Sequence, residues 1–109
     1  MSESYSINYN DKTIWFKKGT KIVHREDGPA IDFYCGNKYW VQDNKYHRID
    51  GPAMEYSDGE KWWYYYGLCH RVDGPAAIFP SGEKEYWLNN TCYADIKTDE
   101  EWIIFQVLD

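Results

Sequence analysis

The chain repeats itself. HREDGPAIDFYCGNKYWVQDNKY, HRIDGPAMEYSDGEKWWYYYGLC and HRVDGPAAIFPSGEKEYWLNNTC begin at His24, His47 and His70 and abut at an interval of 23 residues with no insertion. Each copy opens on the same positions: His24/His47/His70, Arg25/Arg48/Arg71, Asp27/Asp50/Asp73, Gly28/Gly51/Gly74, Pro29/Pro52/Pro75 and Ala30/Ala53/Ala76. Gly36/Gly59/Gly82 and Lys38/Lys61/Lys84 recur in the middle. A fixed period of this length means one supersecondary unit per copy, with each unit covered by its neighbours.

Each unit holds two stretches suited to strands, such as Ala53 to Tyr56 and Lys61 to Tyr66, around a glycine-bearing turn like Ser57-Asp58-Gly59-Glu60. A second turn falls at Asn44, Gly67 and Asn90. The Gly-Pro pair breaks regular structure, because proline has no N–H for a sheet ladder and belongs at a corner or at a strand's first residue. The predicted fold is all-β: one twisted antiparallel meander of hairpin repeats in a single domain over 1–109. Its parts are a degenerate unit at 12–23, repeats at 24–46, 47–69 and 70–92, and a C-terminal cap at 93–109.

The degenerate unit rests on Lys12 to Phe16, read as a first strand that caps one end of the sheet. Trp15 stands nine residues before His24, whereas Trp40 and Trp63 stand seven before His47 and His70, so the turn near Lys18-Gly19 is expected to be longer by two. At the other end Tyr93 replaces the next histidine and Ala94-Asp95 replaces the rest of the signature. Thr98 with Glu101 three residues on is a capping-box pattern, which predicts a short helix to about Leu108. Trp102, Phe105 and either Ile103 or Leu108 would then cover the last strand edge. The competing reading is a final strand, since Trp-Ile-Ile-Phe-Gln-Val is rich in β-formers.

Aromatic residues make up 19% of the chain, with 6 Trp and 11 Tyr, which is too much large apolar surface for a disordered segment. Acidic residues outnumber basic ones 18 to 12, for a net charge of −6. That balance opposes binding to a phosphate backbone or an anionic leaflet. The start MSESYSINYNDK lacks a basic region followed by an apolar stretch, so a cytoplasmic protein without a membrane segment is expected. Cys35, Cys69 and Cys92 are then expected to be reduced thiols.

The pattern HRxDGPAxxxxxxGxKxW resembles the MORN-variant repeats found in phage and giant-virus proteins, themselves similar to the MORN hairpin. The resemblance spans roughly Lys12 to Thr91, and the Thr-Asp-Glu-Glu-Trp tail is similar to the helical ending of such arrays. Asp43-Asn44-Lys45 and Asn89-Asn90-Thr91 depart from the family's Asn-Gly-Lys turn, and the second copy has an all-aromatic strand. The resemblance implies a scaffold that binds proteins or, in some cases, lipids.

His with Asp is raw material for acid–base catalysis, but a catalytic group is needed once and this trio occurs three times. Units two strands apart place equivalent atoms roughly 9–10 Å from one another, too far to share a substrate atom. The expected role of His24, His47, His70, Arg25, Arg48, Arg71, Asp27, Asp50 and Asp73 is a hydrogen-bonded ladder pinning each Gly-Pro corner to the neighbouring unit. The same spacing argues against zinc shared among the histidines and cysteines, which also lack C-x-x-C spacing. No nucleophile elbow or phosphate loop occurs, so neither enzyme activity nor a cofactor is expected.

Trp62-Trp63-Tyr64-Tyr65-Tyr66 must place rings on both sides of a sheet, because alternate strand residues face opposite ways. Trp40, Trp63 and Tyr86, with Phe33, Tyr56 and Phe79, are the expected inner face. Tyr39, Val41, Trp62, Tyr64 and Trp87 form the other, with Tyr66 counted among the binding residues. An exposed patch of this kind marks an interaction site unless the helix or a second chain covers it. With Asp58, Glu60 and Glu83 beside it, and Asp99, Glu100 and Glu101 adding charge, it suits a basic protein surface. If the phage resemblance holds, the partner is a host protein, most concretely a nucleic-acid-handling defence protein whose basic groove is occluded. A glycan or small-ligand surface on Trp62, Tyr64 and Trp87, and a homodimer, are the alternatives.

Overall fold

The computed structural model describes residues 4–108. Two longer strands open the chain, β1 (Ser4–Asn8) and β2 (Lys12–Lys17). The first repeat then gives β3 (Ile31–Phe33), β4 (Lys38–Tyr39), β5 (Val41–Gln42) and β6 (Lys45–Tyr46). The second gives β7 (Met54–Glu55), β8 (Lys61–Trp62), β9 (Tyr64–Tyr65) and β10 (Leu68–Cys69). The third gives β11 (Ala77–Ile78), β12 (Lys84–Glu85), β13 (Trp87–Leu88) and β14 (Thr91–Cys92), followed by α1 (Asp99–Leu108). An antiparallel eight-stranded meander runs β1-β2-β3-β4-β7-β8-β11-β12, and β5-β6, β9-β10 and β13-β14 stand beside it as separate hairpins. The fold is therefore the expected antiparallel meander with a C-terminal helix, in an elongated body of 46 × 27 × 20 Å.

Each unit thus makes two hairpins. In the first, glycine occupies the left-handed position of a four-residue turn, with φ of 110° at Gly36, 99° at Gly59 and 93° at Gly82. In the second, both central residues have positive φ: Asp43 and Asn44, Tyr66 and Gly67, Asn89 and Asn90. This is the twist-matched type I′ geometry, which is why Asn and Gly recur there. The chain leaves the main sheet at Trp40 and Trp63, which separate β4 from β5 and β8 from β9. Their N–H groups still donate to Ala53 and Ala76 carbonyls of the next unit, at 2.7 and 2.8 Å, so the units remain joined across the break.

The core is thin: Ala30, Ala53, Ala76 and Ala77 are fully buried along the array, and the large buried rings of Tyr86 and Trp102 lie at its C-terminal end. The repeated alanine sits where the corner meets the sheet and is wholly shielded from solvent in each repeat.

Several expectations need correction. The sheet does not begin at Lys12: β1 lies outside β2 in a five-residue register from Ser4↔Lys17 to Asn8↔Thr13. Tyr5 and Phe16 stack across it at 5.5 Å, a cross-strand pair the sequence reading overlooked. Phe33, Tyr56 and Phe79 do not share a face with Trp40, Trp63 and Tyr86, and meet Tyr39 and Trp62 instead. The turn between β3 and β4 brings Phe33 back over Tyr39, so contiguity in the strand was a poor guide to the shared face. Val41, assigned to the open face, is buried.

The C-terminal segment is a helix, and its capping box is formed. Glu101 N–H donates to Thr98 Oγ1 at 3.1 Å, and Thr98 N–H donates to Glu101 Oε1 at 3.0 Å. The N–H groups of Lys97, foremost, and of Thr98 donate to the Glu101 carboxyl and hold it below its usual range. Trp102 is fully buried and Phe105 partly so, but Ile103 and Leu108 are 55% and 82% exposed and cover nothing.

Candidate interaction surface

The repeated signature makes one compact device per unit. His24, His47 and His70 each accept, on Nδ1, the N–H of the first residue of their unit's type I′ turn: Asp43 at 3.1 Å, Tyr66 at 2.9 Å and Asn89 at 3.0 Å. A nitrogen that accepts carries no proton, so each ring is the Nε2–H tautomer. Arg25, Arg48 and Arg71 donate from Nε to Asp27, Asp50 and Asp73 at 3.0–3.1 Å. They also donate from a terminal nitrogen to the carbonyls of Pro29, Pro52 and Pro75.

These side-chain bonds of the arginine stay inside one corner. The tie to the preceding unit is the guanidinium, which lies 3.9–4.0 Å from the ring centroids of Trp15, Trp40 and Trp63. Glycine follows aspartate because a Cβ at Gly28, Gly51 or Gly74 would stand 2.8–2.9 Å from the guanidinium carbon. The signature's histidine, arginine, aspartate, glycine and proline thus each serve the corner and the turn it supports.

The stack ends in a substitution of parts. Ala94 occupies the position 23 residues after Arg71, so no guanidinium is available for Tyr86. The Trp102 ring takes that place at 5.4 Å, and the Tyr86 hydroxyl donates to Asp99 Oδ1 at 2.6 Å. Trp102 also donates from Nε1 to the Arg71 carbonyl at 3.2 Å. The helix therefore sits on the tryptophan side of the array and caps it.

On the opposite side the rings join into one surface. Cross-strand partners run Ile31, Tyr39, Met54, Trp62, Ala77 and Glu85 across the sheet. Tyr39 meets Tyr46 at 5.8 Å, Tyr46 meets Tyr64 at 5.5 Å, Tyr64 meets Trp62 at 6.5 Å, and Trp62 meets Trp87 at 6.2 Å. All of these rings are half-buried. The rings that Trp102 meets are Tyr86, Tyr93 and Phe105, so the helix does not cover the Tyr39 to Trp87 face. Burial raises the phenol pKa of Tyr46, Tyr56 and Tyr64, which keeps their hydroxyls protonated.

Of the residues assigned to binding from sequence, Tyr39, Trp62, Tyr64 and Trp87 come together on this face. Tyr66 does not: it occupies the type I′ turn and stacks on His47 with ring centroids 3.7 Å apart. Glu60 is engaged by Trp62, whose Nε1 donates to it at 2.6 Å, while Asp58 and Glu83 lie exposed in the four-residue turns. Sequence reasoning missed Tyr46. Its signal was size complementarity, since Tyr46 pairs with Val41 where Cys69 pairs with Tyr64 and Cys92 with Trp87.

Two large grooves lie between successive corners. A groove of 680 Å³ separates the corner at Arg48–Pro52 from that at His70–Asp73, and one of 570 Å³ lies between the corner holding Glu26–Gly28 and that holding His47–Asp50. Of Trp62, Tyr64 and Trp87, only Tyr64 lines either groove. No helix among the described residues is long and apolar enough to cross a membrane. In comparisons with protein-family models, curated proteins and solved structures, nothing matches the chain.

Proposed function

We propose that the chain is a non-enzymatic binding module that engages a protein through its aromatic sheet face. The observation that carries this reading is the continuous row of half-buried rings from Tyr39 to Trp87, which the capping helix leaves open. Tryptophan and tyrosine on a firm scaffold present large contact area at low entropic cost, as binding hot spots do. The histidines and arginines, the obvious candidates for chemistry, are occupied by turn and corner contacts. Neither Trp62 nor Trp87 lines either of the two large grooves between corners, which favours a protein over a glycan on these rings, since a glycan needs a concave site.

The partner presents a basic surface that ordinarily binds nucleic acid, and the chain occludes it. The net charge of −6 and the exposed Asp58 and Glu83 in the turns of the same sheet support that chemistry. The resemblance to MORN-variant repeats supports a host protein, and inhibition of a defence protein, as the setting.

The test is capture from host lysate with wild type and with W62A/Y64A, followed by displacement of labelled nucleic acid from the retained protein. Stoichiometric retention that the double variant loses, with nucleic acid displaced and affinity falling as salt rises, is the expected result. Recovery of the chain alone would shift the reading to self-association, and retention unaffected by W62A/Y64A would remove this face from the mechanism.

A further inference from the structure

Helix α1 has a second amphipathic face. Trp102, Phe105 and Gln106 hold it to the array, Gln106 donating from Nε2 to the Val72 carbonyl at 2.7 Å. Ile103 and Ile104 are each 55% exposed, Val107 76% and Leu108 82%. Counted from Glu100 they fall three, four, seven and eight residues on, the interval set of a stripe that faces a core. At 100° per residue this stripe lies opposite Trp102. Exposed aliphatics are ordinary when scattered, whereas four on successive turns of one short helix form a patch.

Charge selects the occupant. The first turn of α1 carries Asp99, Glu100 and Glu101, and the last turn carries no basic residue. Asp99 is bonded to Tyr86 and Glu101 to the Thr98 cap, which leaves Glu100, at the head of the stripe, available to a partner. A second copy would bring the same acidic turn and no cation on its own α1, at a net charge of −6 on each side. An anionic leaflet would be repelled in the same way. A helix with an aliphatic stripe flanked by lysine or arginine satisfies both the apolar area and Glu100.

We infer that α1 is a second docking surface, which takes a basic amphipathic helix of a partner protein along Ile103, Ile104, Val107 and Leu108 and pairs a cation with Glu100. This surface is independent of the aromatic face and stands whether or not that face binds.

The probe is a synthetic helical peptide of about five turns, with leucine at heptad a and d positions and lysine at e and g, titrated into the isotope-labelled full chain. A peptide of the same composition in scrambled order reports simple charge attraction. The amide resonances of 100–108 should shift with the patterned peptide, and I104E/V107E should weaken it about tenfold or more while leaving the fold intact. E100K should weaken it several-fold and flatten the salt dependence. Equal binding of the scrambled peptide, failure of the patterned one to bind, or shifts confined to the Tyr39–Trp87 face would overturn the inference. A dimer in sedimentation that I104E/V107E dissociates would assign the stripe to a second copy instead. Binding to phosphatidylglycerol vesicles lost in the same variant would assign it to lipid, and either result rejects the basic-helix partner.

Discussion

The guanidinium carbon of Arg48 lies 3.9 Å from the centroid of the Trp40 ring, and a Cβ on Gly51 would stand 2.9 Å from that same carbon. The stack across the unit boundary therefore exists because residue 51 has no side chain. Trp40 belongs to one repeat and Arg48 to the next, so the contact is part of the interface between neighbouring units.

Gly51→Ala should displace Arg48 from Trp40, Asp50, the Pro52 carbonyl and Glu55 together. The expected loss is about 1–3 kcal/mol, the usual cost of overpacking, read from urea denaturation. In an Arg48→Ala background the same glycine substitution should cost less than about 0.5 kcal/mol, because the atom it strikes is gone. Additive losses would show that the glycine serves the backbone and not the stack.

Trp102→Ala should cost about 3–5 kcal/mol, as for a fully buried tryptophan. The loss should be uneven along the chain. Amide exchange should accelerate most in 70–92, which the helix caps, and least near β2 and β3, because a repeat array opens from an unprotected end. Uniform acceleration would mean that the array opens only as a whole.

His47 is buried, accepts the Tyr66 N–H, stacks on the Tyr66 ring and meets the Tyr65 ring edge-on. Burial lowers its pKa below the ordinary value near 6.5. The unfolded chain therefore binds a proton that the folded chain resists, so stability should be full above about pH 7 and fall as pH drops below about 6.5. Protonation would also place a second donor against the Tyr66 N–H. His47→Asn, which retains an acceptor that cannot titrate in this range, should flatten the change in melting temperature between pH 7.5 and pH 5.5. A slope equal to wild type would locate the acid sensitivity in other groups.

The thiols should react in an order set by access and desolvation. Cys35 and Cys92 are both exposed, desolvation raises the Cys92 thiol, and burial pushes the Cys69 thiol up to about 12. At pH 8 a thiol reagent should modify Cys35 first and Cys69 only on unfolding. Early labelling of Cys69 would show that β9-β10 opens locally without the rest of the sheet.

Much of this architecture was legible in the residues. The interval of 23 announced stacked hairpins, Asn and Gly at positions 44, 67 and 90 marked the left-handed turns, and Thr98 with Glu101 marked the helix start. These are local signals, set by backbone sterics and short-range hydrogen bonds. β1 was harder to see because Tyr-Ser-Ile-Asn gains its meaning from Phe16 and Trp15 across the pair, and an isolated strand has no partner to declare it.

The sequence by itself determined the unit, its turns, its count and the place where the array stops, since each follows from which residues tolerate positive φ, lack an N–H or cap a helix. Only the tertiary structure decided which rings share a face and what the terminal helix covers. Phe33 reaches Tyr39 through a turn, Tyr46 completes the row in the only repeat with valine opposite, and Trp102 fills the slot left by a missing arginine. Such contacts depend on the register of neighbouring units and on the volume each side chain leaves open, and neither is written in the spacing of any one segment.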